Sequence, residues 1–441
     1  MEQRRKNLTQ LFIPICLETL LYMLSGMVDT LMLSSVNDQA VGAVGTANTY
    51  IGIFIIMFSV ISSGMVAVMT QNIGAGRPGV AYQARQLGLA FNAVLGVIMS
   101  LFLSLGAGTI LSGVGVADAL MQPAKTYLQI VGGFCILNAL IPICSSYLRA
   151  FGFSKEPLYA SIIGNVINFC LNAFFLFVLH KGVAGVATAT VISRIINLVI
   201  VVLLGAVLVK AKQHPERESN RAVMGQIIRI GLPSACETAI YNVSMTLVIR
   251  FLNQMDAQGL NVTARSYTMQ ITNFSYCVGA ALAQANAIMT GWHIGAKEYD
   301  ACDRGTRKAA IIGVIVAVIL ETMFALCSGW IMQLFSKDPQ MVSLVGKLLA
   351  IDIVLEIGRV TNLVYGQALK TSGDAVFPVV MGACFMILCS VGGTYLFGIR
   401  LGLLAVGAYI GMTGDECVRA VGMYLRWKSG KWKEKGLVKS R

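Results

Sequence analysis

Residues 14–22 of the chain read PICLETLLY, and the pattern returns 219 positions later as PSACETAIY in residues 233–241. The two segments share the proline, the glutamate with the threonine after it, and the final tyrosine. Further on, MTQNIGA at 69–75 matches MTGWHIGA at 289–296, and LRAFGFSKEP at 148–157 matches LKTSGDAVFP at 369–378. Three matches in the same order and at nearly one offset predict an internal repeat.

The repeat divides the chain into two halves, joined by a long polar segment. Residues 214–219 read HPERES and separate two extended apolar regions. We therefore predict a first lobe in residues 1–210, a cytoplasmic linker in 211–221, a second lobe in 222–426 and a basic tail in 427–441.

The composition places these lobes in a lipid bilayer. Of the 441 residues 56% are hydrophobic and 12% are charged, and the mean hydropathy is +0.72. Soluble domains carry about 25% charged residues. The composition therefore excludes a soluble enzyme, a soluble nucleic-acid-binding domain and a disordered chain.

Apolar runs long enough to cross a membrane recur along the whole chain. A spanning helix needs about 20 apolar residues. Continuous apolar runs also disfavour a β-barrel, whose strands alternate between polar and apolar residues. We predict an all-α integral membrane protein of 12 transmembrane helices in two six-helix lobes, at residues 8–34, 41–70, 86–112, 125–150, 157–180, 183–209, 225–252, 262–291, 306–335, 341–370, 375–398 and 401–426.

The basic residues predict the orientation of these helices. Loops and tails on the side of both termini carry 23 Lys and Arg, against six in the opposite loops. Cytoplasmic loops are rich in Lys and Arg, so both termini are predicted to be cytoplasmic in a multi-pass inner (plasma) membrane protein. An even number of crossings in each half makes the repeat parallel, which is typical of alternating-access carriers. Channels and membrane enzymes can be duplicated too.

The net charge of +13 follows from these loops and does not indicate a nucleic-acid partner. Residues 426–428 read RWK, and we interpret the tail as a solvated, lipid-facing anchor. Eleven cysteines without a C-x-x-C pair and three separated histidines give no metal signature.

Several strings resemble the bacterial MATE family of multidrug and toxic-compound extruders. The most distinctive are VDTLMLS at 28–34, QNIGAGR at 71–77 and LEIGRVTNLVYGQALKTSGDAVFP at 355–378. The resemblance implies two six-helix lobes arranged as a V, and efflux of small organic, often cationic, compounds in exchange for H⁺ or Na⁺. No cofactor is expected beyond the coupling ion, and a monomer is expected.

Asp29 is the main candidate for a coupling residue. A charged group deep in the bilayer costs at least about 2.5 kcal/mol, so it needs a partner, a cavity or a function. The residue matches the helix-1 aspartate of the family, which is surrounded by an asparagine and an acid of helix 5 and a threonine of helix 6. Asn168 and Thr190 match, whereas Asn172 stands at the position of the acid. Asp29 with amide and hydroxyl oxygens can hold H⁺ or a bare Na⁺. The alternative is a carboxylate at a helix end that faces external water.

The second lobe departs from the family pattern. The NorM-like branch has a helix-7 glutamate and a helix-10 aspartate where this chain has Tyr241 and Arg359. The carboxy-lobe cation site of that branch is therefore predicted to be missing. Helical spacing places Asp352, Glu356 and Arg359 on one face, either as a structural ion-pair cluster or as substrate-facing groups.

Glu18 and Glu237 are related by the repeat, each four residues after a proline. Matched depth predicts that Glu18 pairs with Arg194 of helix 6. In the second lobe Glu237 is expected to face the charged residues of helix 12 at positions 415, 416 and 419. Ion pairs that stabilise each lobe are the favoured interpretation, and a contact with substrate is the alternative. Pro14 bends helix 1 near its start and is the candidate hinge.

Two other functions were weighed. A flippase for lipid-linked glycan precursors, of related architecture, needs a cleft rich in Arg and Lys, but only Arg194 and Arg359 lie well inside the membrane. A membrane-embedded enzyme needs a catalytic constellation at one depth, and the sequence offers no specific one. No catalytic residue is therefore predicted.

Overall fold

The computed structural model describes residues 6–34, 38–113, 116, 118–256, 259–333 and 335–438. Over these residues the regular structure is helical throughout. The α-helices, in chain order, are α1 Leu8–Ser34, α2 Asp38–Gly74, α3 Pro78–Gly113, α4 Asp118–Tyr127, α5 Ile136–Ala150, α6 Lys155–Ala173, α7 Gly182–Leu208, α8 Asn220–Met255, α9 Leu260–Gly295, α10 Tyr299–Leu326, α11 Ser328–Met332, α12 Pro339–Ser372, α13 Val376–Phe385 and α14 Leu404–Lys428.

Short segments of wider or tighter helix connect some of these elements. Segments of π-helix lie at Leu128–Gly132, Phe174–Val178, Met386–Val391 and Thr394–Arg400, and 3₁₀ turns at Lys210–Gln213 and Lys431–Glu434. The chain bends by 43° between Asp118–Gly132 and Ile136–Ala150. The predicted fourth segment, 125–150, therefore corresponds to α4 and α5 joined by a π-helical segment.

Over the described residues the predicted segments lie largely on helices, and the coarser prediction of an all-α membrane protein is confirmed. Seven described helical segments are long and apolar enough to cross a membrane, or eight if the bent pair forms one span. The long helices that fail this test are α8, α9, α12 and α14. Helices α9, α12 and α14 bury charged side chains, whereas the charged side chains of α8 are exposed or half-buried. These charges lower the mean hydropathy, so apolarity alone finds fewer crossings than the twelve predicted.

The chain folds as two compact units, Met1–Leu232 and Pro233–Arg441. The boundary lies inside α8, later than the predicted linker at 211–221, because that linker packs on the first unit. Gln83 Nε2 donates hydrogen bonds to Glu218 O at 2.7 Å and to Asn220 Oδ1 at 2.6 Å. Arg77 forms an ion pair of 2.6 Å with Glu218.

In the second unit, glycines allow three helices to approach closely around Val360 of α12. A methyl group on Gly279 of α9 would lie 2.9 Å from Val360 Cγ2, and one on Gly313 of α10 would lie 2.6 Å from Cγ1. Two residues earlier on α12, a methyl group on Gly358 would lie 2.9 Å from the backbone nitrogen of Cys417 in α14. These contacts bring α9, α10, α12 and α14 together where the unit buries its charges.

We expect Gly358→Ala to lower the free energy of unfolding by about 1–3 kcal/mol, because the added methyl group meets the rigid backbone of α14. Gly305, within α10, is the matched control, since nothing lies within 4 Å of a methyl group placed there. Gly305→Ala is expected to leave stability unchanged or to raise it by about 0.5–1 kcal/mol. Thermal unfolding of both variants in detergent measures the contrast, and equal shifts would contradict it.

The end of α14 and the segment that follows it are a packed part of the second unit over their described residues. Trp427 and Trp432 are 3% and 1% exposed, and their rings stack with centroids 4.1 Å apart. Trp427 Nε1 donates to Asp303 Oδ1 at 2.8 Å, and Arg426 forms an ion pair of 2.7 Å with Asp374. The interpretation of this segment as a lipid-facing anchor is therefore wrong for its tryptophans; residues 439–441 lie outside the described part.

Candidate ion-coupling site

Asp29 lies near the end of α1 and contacts the polar face of α6. Asn172 Nδ2 donates to Asp29 Oδ1 at 2.6 Å and lies 3.3 Å from Asn168 Oδ1. Both asparagines are buried because they lie one turn apart on the face that α6 turns inward, and Asp29 is half-buried. The structure thus brings together three of the four residues predicted from the sequence.

The fourth residue, Thr190, is buried on α7 and donates to the carbonyl of Val186 at 2.9 Å. None of the hydrogen bonds among the described residues joins it to Asp29. Arg194, one turn further along α7, is instead close enough for its charge to act on Asp29 and on the buried Tyr127. Sequence reasoning assigned no role here to Tyr127, because its segment was predicted only as the start of a crossing.

This arrangement can exchange a proton or a small hard cation. Asp29 is the ionisable group, while Asn172 Oδ1 is buried with no hydrogen-bond partner among the described residues and Asn168 supplies a second amide oxygen. Hard cations prefer carboxylate and amide oxygens. The positive charge of Arg194 balances the negative charge of ionised Asp29, so the pair is neutral and one added proton or Na⁺ gives the site a net charge of +1.

Glu18 does not pair with Arg194, and that prediction is wrong. Its Oε2 lies 2.5 Å from Arg149 Nη2 at the end of α5, and Ser161 Oγ lies 3.4 Å from its Oε1. The side chains of the pair are 15% and 10% exposed. Arg149 is one of the basic residues assigned above to the cytoplasmic loops, but it is 8% exposed and packs inside the lobe.

The second unit repeats this ion pair. Glu237 of α8 pairs with Lys370 of α12 at 2.6 Å, with side chains 15% and 13% exposed. Glu237 is within electrostatic reach of Arg419 of α14, but the partner of its ion pair is Lys370, which the sequence did not predict. Arg149 and Lys370 are matched positions of the third repeated motif, as Glu18 and Glu237 are of the first. Each ion pair thus joins the two motifs within its own unit.

A chain of buried charges runs between α12 and α14, as predicted in part. Arg359 pairs with Glu356 at 2.7 Å and reaches Glu416 at 3.7 Å. Arg419 continues the chain, 2.9 Å from Glu416 and 2.8 Å from Asp415. Tyr241 of α8 is within electrostatic reach of Arg359. The NorM-like positions thus hold no acid here, but the unit carries acids elsewhere.

Glu321 of α10 is the residue that sequence reasoning missed. It is fully buried, and one carboxylate oxygen each from Glu321, Asp352 and Glu356 lie within 4.8 Å of one another. Asp352 and Glu356 were predicted to share a face of their helix, and they do. Glu321 lies in another predicted helix and outside the repeated motifs, so no local pattern linked it to them. A glutamate in the middle of an apolar helix was the one available signal.

Sequence and structure together define a multi-pass helical membrane protein, and comparison with known proteins gives its family. The MatE family model matches the chain twice, at residues 14–174 and 233–396. The "Uncharacterized transporter YisQ" of Bacillus subtilis (strain 168) is 33% identical, covering 96% of this chain and 94% of its own. A "Probable multidrug resistance protein NorM" of Thermotoga maritima is 23% identical over 98% of this chain and 94% of its own.

The fold agrees with solved structures that are described as MATE. A crystal structure described as MATE in the straight conformation superposes with a TM-score of 0.87 at 19% identity, covering 97% of this chain and 96% of that one. The bent conformation gives a TM-score of 0.88 at 18% identity. The chain belongs to the MatE family, whose members are transporters and not enzymes.

Proposed function

We propose that this chain exports small organic, often cationic, compounds across the inner membrane in exchange for H⁺ or Na⁺. The observation that carries the proposal is the half-buried Asp29, hydrogen-bonded to Asn172 beside Asn168. Asp29 binds the coupling ion in one state of the carrier and releases it in the other. Ion and substrate must favour opposite-facing states, because a ligand shifts a population only through its differential affinity.

The proposed architecture is two six-helix lobes of parallel topology with both termini cytoplasmic. Lobes at residues 1–210 and 222–426, the linker at 211–221 and a monomeric carrier belong to the same proposal. The double family match and the pair of equivalent ion pairs, Glu18–Arg149 and Glu237–Lys370, support the repeat. Pro14, buried inside the continuous helix α1, is the proposed hinge.

Reconstituted transport tests the function. Purified protein in liposomes is given a pH gradient alone or a Na⁺ gradient alone, and export of ethidium is followed by fluorescence. We expect one of the two gradients to drive export well above the leak of protein-free liposomes. Folded, correctly inserted protein that moves ethidium under neither gradient would overturn the proposal for this substrate class, and equal export without any gradient would overturn the antiport mechanism.

A further inference from the structure

The second unit contains a carboxylate cluster that the proposed coupling mechanism does not use, and of its three acids only Glu356 forms a described ion pair. We propose that Glu321, Asp352 and Glu356, with the hydroxyl of Ser275, bind a hard metal cation at a site separate from Asp29. The three acids are 0%, 2% and 0% exposed, and Ser275 is 1% exposed. Like charges buried this close together repel one another strongly unless positive charge lies between them.

The oxygens of the cluster lack partners within the protein. Both carboxylate oxygens of Glu321, Oδ2 of Asp352 and Oε1 of Glu356 are buried without a hydrogen bond among the described residues. Ser275 Oγ faces Glu321 and is likewise buried with no hydrogen bond of 3.5 Å or less among the described residues. Buried polar atoms are almost always paired, and each exception needs an explanation such as a bound ion. Five oxygens without a hydrogen-bond partner in one cluster indicate a bound group that oxygen atoms can coordinate, such as a metal cation.

The charges of the surrounding residues favour a cation over a further polar group. Arg359 neutralises Glu356 and also reaches Glu416, while Arg419 is shared by Asp415 and Glu416. No ion pair among the described residues includes Glu321 or Asp352. The carboxylates of Glu321 and Asp352 therefore carry two negative charges without an ion-pair partner in the protein. One divalent ion, or Na⁺ together with one proton, balances these two charges.

The spacing and rigidity of the cluster suit a metal of the size of Ca²⁺ or Na⁺. Ca²⁺ binds oxygen ligands at about 2.3–2.6 Å, so two ligands of one ion lie at most about 5 Å apart. The carboxylate oxygens lie within 4.8 Å of one another. Val360, wedged against Gly279 and Gly313, fixes α9, α10 and α12 at the cluster. A methyl group on Gly279 would lie 3.9 Å from Glu356 Oε1, so glycine keeps the space beside this oxygen free of a side chain.

Cation binding can be measured on the purified full-length protein without transport. After removal of divalent ions with a chelator, the protein in detergent is titrated with CaCl₂, NaCl or MgCl₂ at constant ionic strength set by choline chloride. The unfolding temperature, read by tryptophan fluorescence, rises with any ion that binds the folded state alone. We expect CaCl₂ or NaCl to raise it in a saturable manner, and which salt acts at lower concentration identifies the ion.

Variants locate the bound ion. Glu321→Gln and Asp352→Asn keep the side-chain size and remove one charged ligand, and each is expected to weaken the apparent affinity at least about tenfold. Asp300→Asn, an exposed carboxylate on the same helix as Glu321, is the matched control and is expected to change nothing. In the Asp29→Asn background, which removes any response of the proposed coupling site, a saturable response should remain and should be lost when Glu321→Gln is added, which separates the two sites.

Three outcomes overturn the proposal. If none of the three salts changes the unfolding temperature of the wild-type protein, the cluster holds protons only. A response that survives in both Glu321→Gln and Asp352→Asn places the ion elsewhere. A response that disappears in Asp29→Asn assigns it to the first unit. Failure of ethidium transport bears on none of these results, because the titration measures binding and not export.

Discussion

Asp29→Asn is expected to reduce gradient-driven export of ethidium to the leak rate of protein-free liposomes, while the protein remains folded and inserted. Asparagine has the size of aspartate and can still hydrogen-bond with Asn172, which lies 2.6 Å from Asp29 in the native protein. It cannot, however, change its charge with proton or cation binding. Neither gradient can then change the occupancy of this site, so the coupling ion no longer shifts the population between the inward-facing and outward-facing states of the carrier.

The decisive control relocates the carboxylate within the same site. Asn172→Asp combined with Asp29→Asn places the acid on α6, within hydrogen-bond distance of its original position. We expect this exchanged pair to recover a substantial part of the export lost in Asp29→Asn. Asp118→Asn, an exposed acid of the same unit, should transport as the native protein does. Full export by Asp29→Asn would falsify the assignment of the coupling site.

The sequence predicted the helices and part of this site because both follow from local spacing. Asn168 and Asn172 are four residues apart, which places them on one helix face, and the resemblance to the family added Asp29. The same rule placed Asp352 and Glu356 together. The contribution of Glu321 was not predictable in this way, since it comes from another helix and helical spacing relates residues only within one helix.

Two other features escaped sequence reasoning for physical reasons. Depth in the membrane was the only criterion used for Glu18, and it cannot choose among several helices at the same level. The repeat contained a better criterion: an acid and a base each recur at the same offset, and their recurrence pairs Glu18 with Arg149. In the tail, basic residues next to tryptophans resemble a membrane-surface anchor, yet Trp432 stacks on Trp427 in the interior of its unit.

Arg149→Met is expected to lower the free energy of unfolding by about 3–5 kcal/mol, because it leaves the buried carboxylate of Glu18 without its partner. Lys370→Met should have a similar effect in the second unit, where Glu237 loses its partner. Arg307→Met is the matched control. Its ion pair with Asp303 is 65% and 37% exposed, and exposed pairs contribute only about 0.2–1 kcal/mol.

A double substitution distinguishes an unpaired charge from lost packing. Glu18→Gln together with Arg149→Met removes both charges, so most of the stability lost in Arg149→Met should return, since a buried pair contributes little beyond its own desolvation. Thermal unfolding of the two single variants and the double variant gives the coupling between the residues. If the double variant is as unstable as the sum of the two single variants, the pair is not coupled, and the matched position of the two ion pairs in the repeat has no energetic meaning. A coupling found in both units instead means that each ion pair holds the first helix of its half against the motif that ends the fourth crossing. Both halves then kept the pair after duplication, because losing one partner would leave a buried carboxylate unpaired.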